Sequence, residues 1–161
     1  MIDNIKLKKN IDDNGYALIE NYFNQELLNE LKNSLLEVLN YIHPSDETDL
    51  QNKYYEVKKF NPQLKANWYD IAPYNIDMTQ AIHTPELINF VKFFFDTKVI
   101  FSGRAAIHVH DNDNDKLLLP HQETNQFARD CLLFWIPLWD TNKNNGGLTI
   151  YEKSHYNGYF D

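Results

Sequence analysis

The spacing of the apolar residues changes near Val99, and this change constrains the fold more than any other feature of the sequence. Upstream, apolar residues recur at helical spacing. Asn24 is placed to cap a helix that runs to about Ile42, and Thr84-Pro85-Glu86 is a typical helix start. Downstream, short apolar runs alternate with turn-rich segments, a pattern typical of strands. Helices followed by strands indicate an α+β fold.

The predicted strands are short and separated by turns. The first, residues 16–20, follows the turn Asn14-Gly15. Residues 50–80 are interpreted as irregular with short strands, because Pro62 and Pro73 interrupt them. The remaining predicted strands are 99–110, 116–123, 131–139 and 148–154. Several short strands with turns between them indicate a sandwich or a barrel.

No linker divides the sequence, and its 161 residues correspond to about one domain. Hydrophobic residues make up 43% of the chain, which is enough to bury a sizeable core. We therefore predict a single domain over residues 1–161. In it, a helical part (1–98) packs on the outside of a β-structure (99–161).

The overall charge excludes some classes of partner. Acidic residues outnumber basic ones, 23 to 15, and the net charge of −8 disfavours binding to nucleic acid. The longest apolar run, residues 131–139, is too short to span a bilayer, and the N-terminus lacks the apolar core of a secretory signal. The single cysteine, Cys131, fits a reducing compartment. We expect a cytoplasmic protein with no membrane partner.

The tripeptide His121-Gln122-Glu123 is the candidate chemical site. On a strand, residues i and i+2 point to the same face, about 6–7 Å apart at Cα, so an imidazole and a carboxylate can converge on one metal ion. A second histidine would complete a facial triad of the kind that binds Fe(II) and leaves positions open for other ligands. The pattern His-x-Glu alone is common, and it fits two polar loop residues equally well.

The sequence around this tripeptide resembles the phytanoyl-CoA dioxygenase family. The resembling parts are His121-Gln122-Glu123, the apolar "FWIPL" (134–138), the turn Asn145-Gly146-Gly147-Leu148, and Ser154-His155. The segment "NGYALIENYFNQELLNELKNSL" (14–35) is similar to the opening of the same family. The order and the spacing of all these parts agree, so no single motif carries the resemblance.

The resemblance implies a double-stranded β-helix, or jelly roll, flanked by helices. It also implies Fe(II) as cofactor, 2-oxoglutarate as co-substrate, and O₂ and a small organic molecule as substrates. The expected reaction is oxidation of an unactivated C–H bond, usually hydroxylation. His121 and Glu123 are then both the metal ligands and the catalytic residues. Neither the organic substrate nor the oligomeric state is predicted by the sequence.

Other candidate site residues rest on weaker signals. By resemblance, Trp135 lies against the 2-oxoglutarate site, with ordinary core packing as a compatible alternative. Gln126 follows the metal pair closely in the sequence and is placed to reach the co-substrate or substrate, with solvent exposure as the alternative. His108 and Arg104 share a face of the strand 99–110 and are candidates for substrate binding, with a surface position as the alternative. His155 is interpreted as a hydrogen-bonding residue in a turn, and less readily as a metal ligand.

The sequence departs from the family in three places. Glu123 stands where Asp is commoner, which is compatible with iron binding, and "EKSH" (152–155) replaces Pro-Gly-Ser-His. The family's distal histidine and its arginine for 2-oxoglutarate lie further downstream than this sequence extends, so we expect a C-terminally truncated chain with an incomplete jelly roll. Two alternatives remain. One is a degenerate, non-catalytic jelly-roll binding domain, and the other is a cupin-like metalloenzyme that takes His155 as a metal ligand and does not use 2-oxoglutarate.

Overall fold

The computed structural model describes residues 2–100, 105–109, 120–122 and 131–158. The chain divides into two compact units. The terminal unit contains the described parts of Met1–Glu20, Asn89–Val99 and Val109–Asp161. The central unit contains the described parts of Asn21–Ile88 and Ile100–His108.

Helices provide the regular structure in the described residues. The α-helices are α1 (Asn4–Asn14), α2 (Gln25–Ile42), α3 (Leu50–Phe60), α4 (Pro62–Ile71), α5 (Ile76–Ile82) and α6 (Pro85–Phe94). In the part of the chain that the structure describes, 3₁₀ helices cover Ala72–Tyr74 and Ser154–Asn157.

Helix α2 is the centre of the central unit and confirms the sequence prediction. Asn24 caps it, its side chain accepting a hydrogen bond from the N–H of Leu27 at 2.8 Å. α2 packs on α3, α4 and α5. Its buried side chains are Leu31, Ser34, Leu35, Leu36 and Leu39, and they meet Tyr54, Val57 and Trp68 in the core of this unit. The aromatic residues Tyr54 and Trp68 therefore serve as packing.

The prediction that residues 50–80 are irregular with short strands is wrong, because α3, α4 and α5 occupy them. Three side chains begin these helices: Asp49, Asn61 and Asn75 each accept a hydrogen bond from an N–H in the following first turn. Pro62 is the first residue of α4, where its missing N–H costs nothing, so it starts a helix instead of interrupting one.

Helix α6 confirms the predicted start at Thr84. The Thr84 hydroxyl accepts a hydrogen bond from the N–H of Leu87 at 3.3 Å. Within the terminal unit, Phe90 is buried and its ring lies 6.1 Å from that of Phe94. The Lys8 ammonium of α1 lies 4.7 Å from the centre of the Phe94 ring, a cation–π contact that joins α1 to α6.

The predicted α+β fold with a double-stranded β-helix is wrong for the part of the chain that the structure describes. No residue in 2–100, 105–109, 120–122 or 131–158 belongs to a strand. The apolar segments 131–137 and 148–151 are neither helix nor strand. An apolar run of strand length becomes a strand only when a neighbouring segment supplies the hydrogen-bonded ladder, and local sequence does not specify that neighbour.

Across these same residues, none of the helices has the combination of length and apolar character needed to cross a membrane.

Candidate functional site

His121 lies in the terminal unit on a short segment, 120–122, that is neither helix nor strand. Its side chain is exposed, whereas Gln122 is half-buried. The side-chain amide of Gln122 donates a hydrogen bond from Nε2 to the carbonyl of Gly158 at 3.0 Å. This bond attaches the His121 segment to the end of the 3₁₀ helix Ser154–Asn157.

The same 3₁₀ helix is docked on the C-terminal end of α1. The Tyr156 hydroxyl donates to the backbone carbonyl of Asp12 at 2.8 Å, and His155 Nε2 lies 2.9 Å from the same oxygen. The last carbonyls of a helix have no hydrogen-bond partner within the helix. These contacts therefore give the Asp12 carbonyl partners that water would otherwise supply.

A backbone bond extends this docking by one residue. The N–H of Lys153 donates to the carbonyl of Asn14 at 2.8 Å, and Lys153 itself has a left-handed backbone with φ of 64°. Because the bond joins two backbones, it does not depend on the identity of either side chain. It sets the distance between the 3₁₀ helix and the end of α1.

Gly15 permits this close approach. It follows α1 with a φ of 86°, and its N–H donates to the carbonyl of Ile11, which is the usual way for a helix to end at glycine. A Cβ at this position would lie 2.7 Å from Nδ1 of His155. The predicted turn at Asn14-Gly15 is confirmed, and it is the C-terminal cap of a helix that the sequence analysis did not predict.

The contacts of His155 decide its role. A carbonyl oxygen accepts but cannot donate, so Nε2 of His155 carries the proton in its bond to Asp12. Its other ring nitrogen, Nδ1, faces Gly15. The imidazole thus serves as a hydrogen-bonding residue of the turn, as predicted, and neither nitrogen is presented to a metal ion in this arrangement.

Electrostatic pairs lie on the exposed side of α1. Lys8 pairs with Asp12, with Nζ 3.0 Å from Oδ2, and Lys9 pairs with Asp13. The hydrogen bond and the charge of Asp13 raise the pKa of Lys9 above its usual value. Pairs four residues apart on an exposed helix are screened by solvent, so they support α1 only weakly.

Comparison with known proteins identifies the family of the chain. Residues 11–161 match the phytanoyl-CoA dioxygenase (PhyH) family. The chain belongs to this family. Neither the curated proteins nor the solved structures contained a match to the sequence. The match confirms the resemblance found in the sequence, and membership implies a dioxygenase of the type that generally depends on Fe(II) and 2-oxoglutarate, with O₂ and a small molecule as substrates.

The structure places some of the predicted site residues of this phytanoyl-CoA dioxygenase family member. His121 is exposed in the terminal unit, and Trp135, in the same unit, is 38% exposed. His108 is exposed in the central unit. The predicted roles of Glu123, Gln126 and Arg104 fall on residues outside the described ones. Within the described residues, no three His, Cys, Asp or Glu side chains are grouped as a metal site.

The donor chemistry of the tripeptide fits the iron that the family implies. A neutral imidazole and a carboxylate are two of the three ligands of a facial Fe(II) site. His121, the described member of this pair, is an exposed residue.

Four supporting residues were missed by the sequence analysis: Asp12, Gln122, Tyr156 and Gly158. The bond between Gln122 and Gly158 spans 36 positions, and the bond between Tyr156 and Asp12 spans 144. Local patterns do not reveal contacts of this separation. One signal was available: a glycine directly after a helical segment indicates a helix end, and the unpaired carbonyls of a helix end require partners.

Proposed function

We propose that the protein is an Fe(II)/2-oxoglutarate-dependent dioxygenase that hydroxylates a small organic substrate, with His121 and Glu123 as iron ligands. The observation that supports this proposal is the family match over residues 11–161, which contains the whole His121-Gln122-Glu123 motif. The exposure of His121, on a segment held by Gln122, supports the assignment further.

Each residue of the proposed site has a distinct role. His121 contributes a neutral imidazole and Glu123 a carboxylate, whose negative charge favours a divalent cation. Bound Fe(II) supplies the activation of O₂ that couples 2-oxoglutarate decarboxylation to oxidation of the substrate C–H bond. Trp135 and Gln126 contact 2-oxoglutarate in this proposal, and the sequence-based assignment of His108 and Arg104 to substrate binding stays a prediction. His155 is left out of the ligand set because its Nε2 donates to Asp12.

The charge of the protein bears on the substrate class. The net charge of −8 repels a polyanion such as an acyl-CoA thioester, attracts cations, and does not repel neutral molecules. We therefore propose an organic substrate without a large negative charge.

Measurement of 2-oxoglutarate turnover tests the proposal. The natural full-length protein is incubated with Fe(II), 2-oxoglutarate and O₂, and succinate is quantified for the wild type and for His121→Ala. Loss of an iron ligand should lower succinate release by more than about 100-fold, the upper end of the loss caused by residues that only support a ligand. Glu123→Asp should retain turnover because it keeps the carboxylate, whereas Glu123→Ala should lose it.

His83→Ala is the matched control. His83 is also hydrogen-bonded through a ring nitrogen, with Nδ1 2.6 Å from the carbonyl of Thr79, but it belongs to the central unit and to no proposed site. This variant should release succinate at the wild-type rate. Equal succinate release by wild type and His121→Ala would show that the iron assignment is wrong.

A further inference from the structure

We propose that Gln122 is a positioning residue for His121: its side-chain amide attaches the His121 segment to the 3₁₀ helix Ser154–Asn157, which is itself docked on the end of α1. The proposal rests on the proposed function, since it assigns to Gln122 the task of holding an iron ligand. It involves residues 12–15, 120–122 and 153–158, which all belong to the terminal unit.

The segment that carries His121 lies outside regular secondary structure. Residues 120–122 are in neither a helix nor a strand, so no regular backbone hydrogen bonds of either kind fix the orientation of His121. Metal ligands bind well only when their own positions are held by neighbouring hydrogen bonds. The Gln122 amide supplies such a bond one residue away, to the carbonyl of Gly158 at 3.0 Å.

The 3₁₀ helix that holds Gln122 is itself anchored to α1. Gly158 ends the 3₁₀ helix, and its N–H donates to the carbonyl of His155 at 3.4 Å. His155 and Tyr156 are both bonded to the carbonyl of Asp12. A continuous series of hydrogen bonds therefore leads from the residue beside His121 to a helix of eleven residues, α1.

The side chain of Gln122 is an uncharged hydrogen-bond donor. An amide donates to a carbonyl without carrying charge, so it fixes the backbone and leaves the net charge beside the metal unaltered. Glutamate has the same length, but its ionised carboxylate cannot donate and is repelled by the carbonyl of Gly158. Gln122→Glu therefore removes the bond at nearly constant size, and Gln122→Ala removes it together with the side chain.

The test combines two readouts on the full chain without added substrate. Co(II), as a spectroscopic substitute for Fe(II), is titrated by its visible absorption. Hydrogen exchange is measured for the peptide that carries His121. Gln122→Ala should weaken Co(II) binding by about tenfold, the lower end for a residue that supports a ligand. Both Gln122→Ala and Gln122→Glu should speed exchange in this peptide; Co(II) affinity is compared only for Gln122→Ala, because the added carboxylate of Gln122→Glu itself attracts the cation. The thermal midpoint should stay at the wild-type value, which a general loss of stability would lower.

Gln25→Ala is the matched control. Gln25 also donates from Nε2, to Asn29 Oδ1 at 3.0 Å, but it lies in the central unit. It should leave Co(II) affinity and the exchange of the His121 peptide unchanged. Tyr156→Phe removes the anchoring bond to Asp12. It should speed exchange in the His121 peptide although the substituted residue lies outside that peptide.

The outcomes separate this proposal from the proposed function. Loss of Co(II) binding in His121→Ala, with wild-type affinity in Gln122→Ala or wild-type exchange in both Gln122 variants, would overturn the role of Gln122 and leave the iron site standing. Wild-type Co(II) affinity in His121→Ala, or no Co(II) binding by the wild-type chain, would overturn the iron site. In that case Gln122 does not position a metal ligand either. The hydrogen-exchange data then test only whether Gln122 attaches the His121 segment to the 3₁₀ helix.

Discussion

At the scale of single residues, two independent restrictions require glycine at position 15. Its φ of 86° lies in the left-handed region, and its Cα faces the His155 ring so closely that a Cβ would lie 2.7 Å from Nδ1. The left-handed conformation alone costs an alanine about 1–2 kcal/mol. We expect Gly15→Ala to lower the free energy of unfolding by more than this, because the imidazole must also move away from its bond to Asp12. Urea denaturation of the variant measures the loss.

A double-mutant cycle separates the two restrictions. His155→Ala removes the ring, at the cost of about 1 kcal/mol for the hydrogen bond to Asp12. In that background, Gly15→Ala should cost only the 1–2 kcal/mol or so of backbone strain. The same cost in both backgrounds would mean that the ring does not restrict this position.

At the scale of elements, the success of sequence prediction depended on helix length and caps. Helix α2 was predicted with its cap and its end because its 18 residues repeat an apolar face several times. Helices α4 and α5, with 10 and 7 residues, repeat that face too few times to stand out. Their start signals were nevertheless present. Asn61 ends α3 and also caps α4, and Pro62 follows it directly.

The failed strand predictions have a different cause. A helix satisfies its hydrogen bonds within one segment, so a local pattern is nearly sufficient to specify it. A strand requires a partner segment, and the pattern of residues 131–139 carries no information about where that partner lies. The candidate site shows the same contrast between features that local sequence specifies and contacts with distant segments. The tripeptide at His121 was found from local spacing, whereas its attachment through Gln122 to Gly158 was not.

Helix α3 is joined to the preceding loop by a polar cluster with a pH-dependent member. The Ser45 hydroxyl donates to Glu56 at 2.8 Å, and the buried Lys53 ammonium contacts both residues. His43 Nε2 lies 3.4 Å from the other oxygen of Glu56. The hydrogen bond from Ser45, and then the charges of Lys53 and His43, lower the pKa of Glu56 below its ordinary 4.5.

The lowered pKa gives the cluster a defined pH range. A carboxyl whose pKa is lowered by folding stabilises the protein fully above its unfolded pKa, and that stabilisation is lost as the pH falls through the folded pKa. Glu56→Gln should therefore be less stable than wild type at neutral pH, and the difference should shrink below pH 4.5. Urea midpoints over this range measure it. Ser45→Ala should also be less stable than the wild type at neutral pH, and this difference should shrink over the same pH range by a smaller amount. A stability difference between Glu56→Gln and the wild type that stays constant with pH would contradict the role assigned to Glu56.

At the scale of the whole molecule, two features act against each other. The terminal unit exposes large apolar side chains within residues 133–151, namely Leu133, Phe134, Trp135, Trp139, Leu148, Ile150 and Tyr151. Exposed apolar surface favours association and the binding of apolar molecules. The net charge of −8 opposes association between copies, and salt screens that repulsion.

We therefore expect association of the chain to increase with ionic strength, and sedimentation velocity at low and high salt measures this. A neutral apolar dye such as Nile red, which the protein's charge does not repel, should fluoresce on the native chain. Leu133→Ser combined with Ile150→Ser should reduce both effects, because these side chains are 63% and 47% exposed and their loss leaves the charge unchanged. Ile76→Ser is the control, since Ile76 is 70% exposed but belongs to the central unit. If the double variant and the control bind the dye equally, the apolar surface of residues 133–151 is not what drives association.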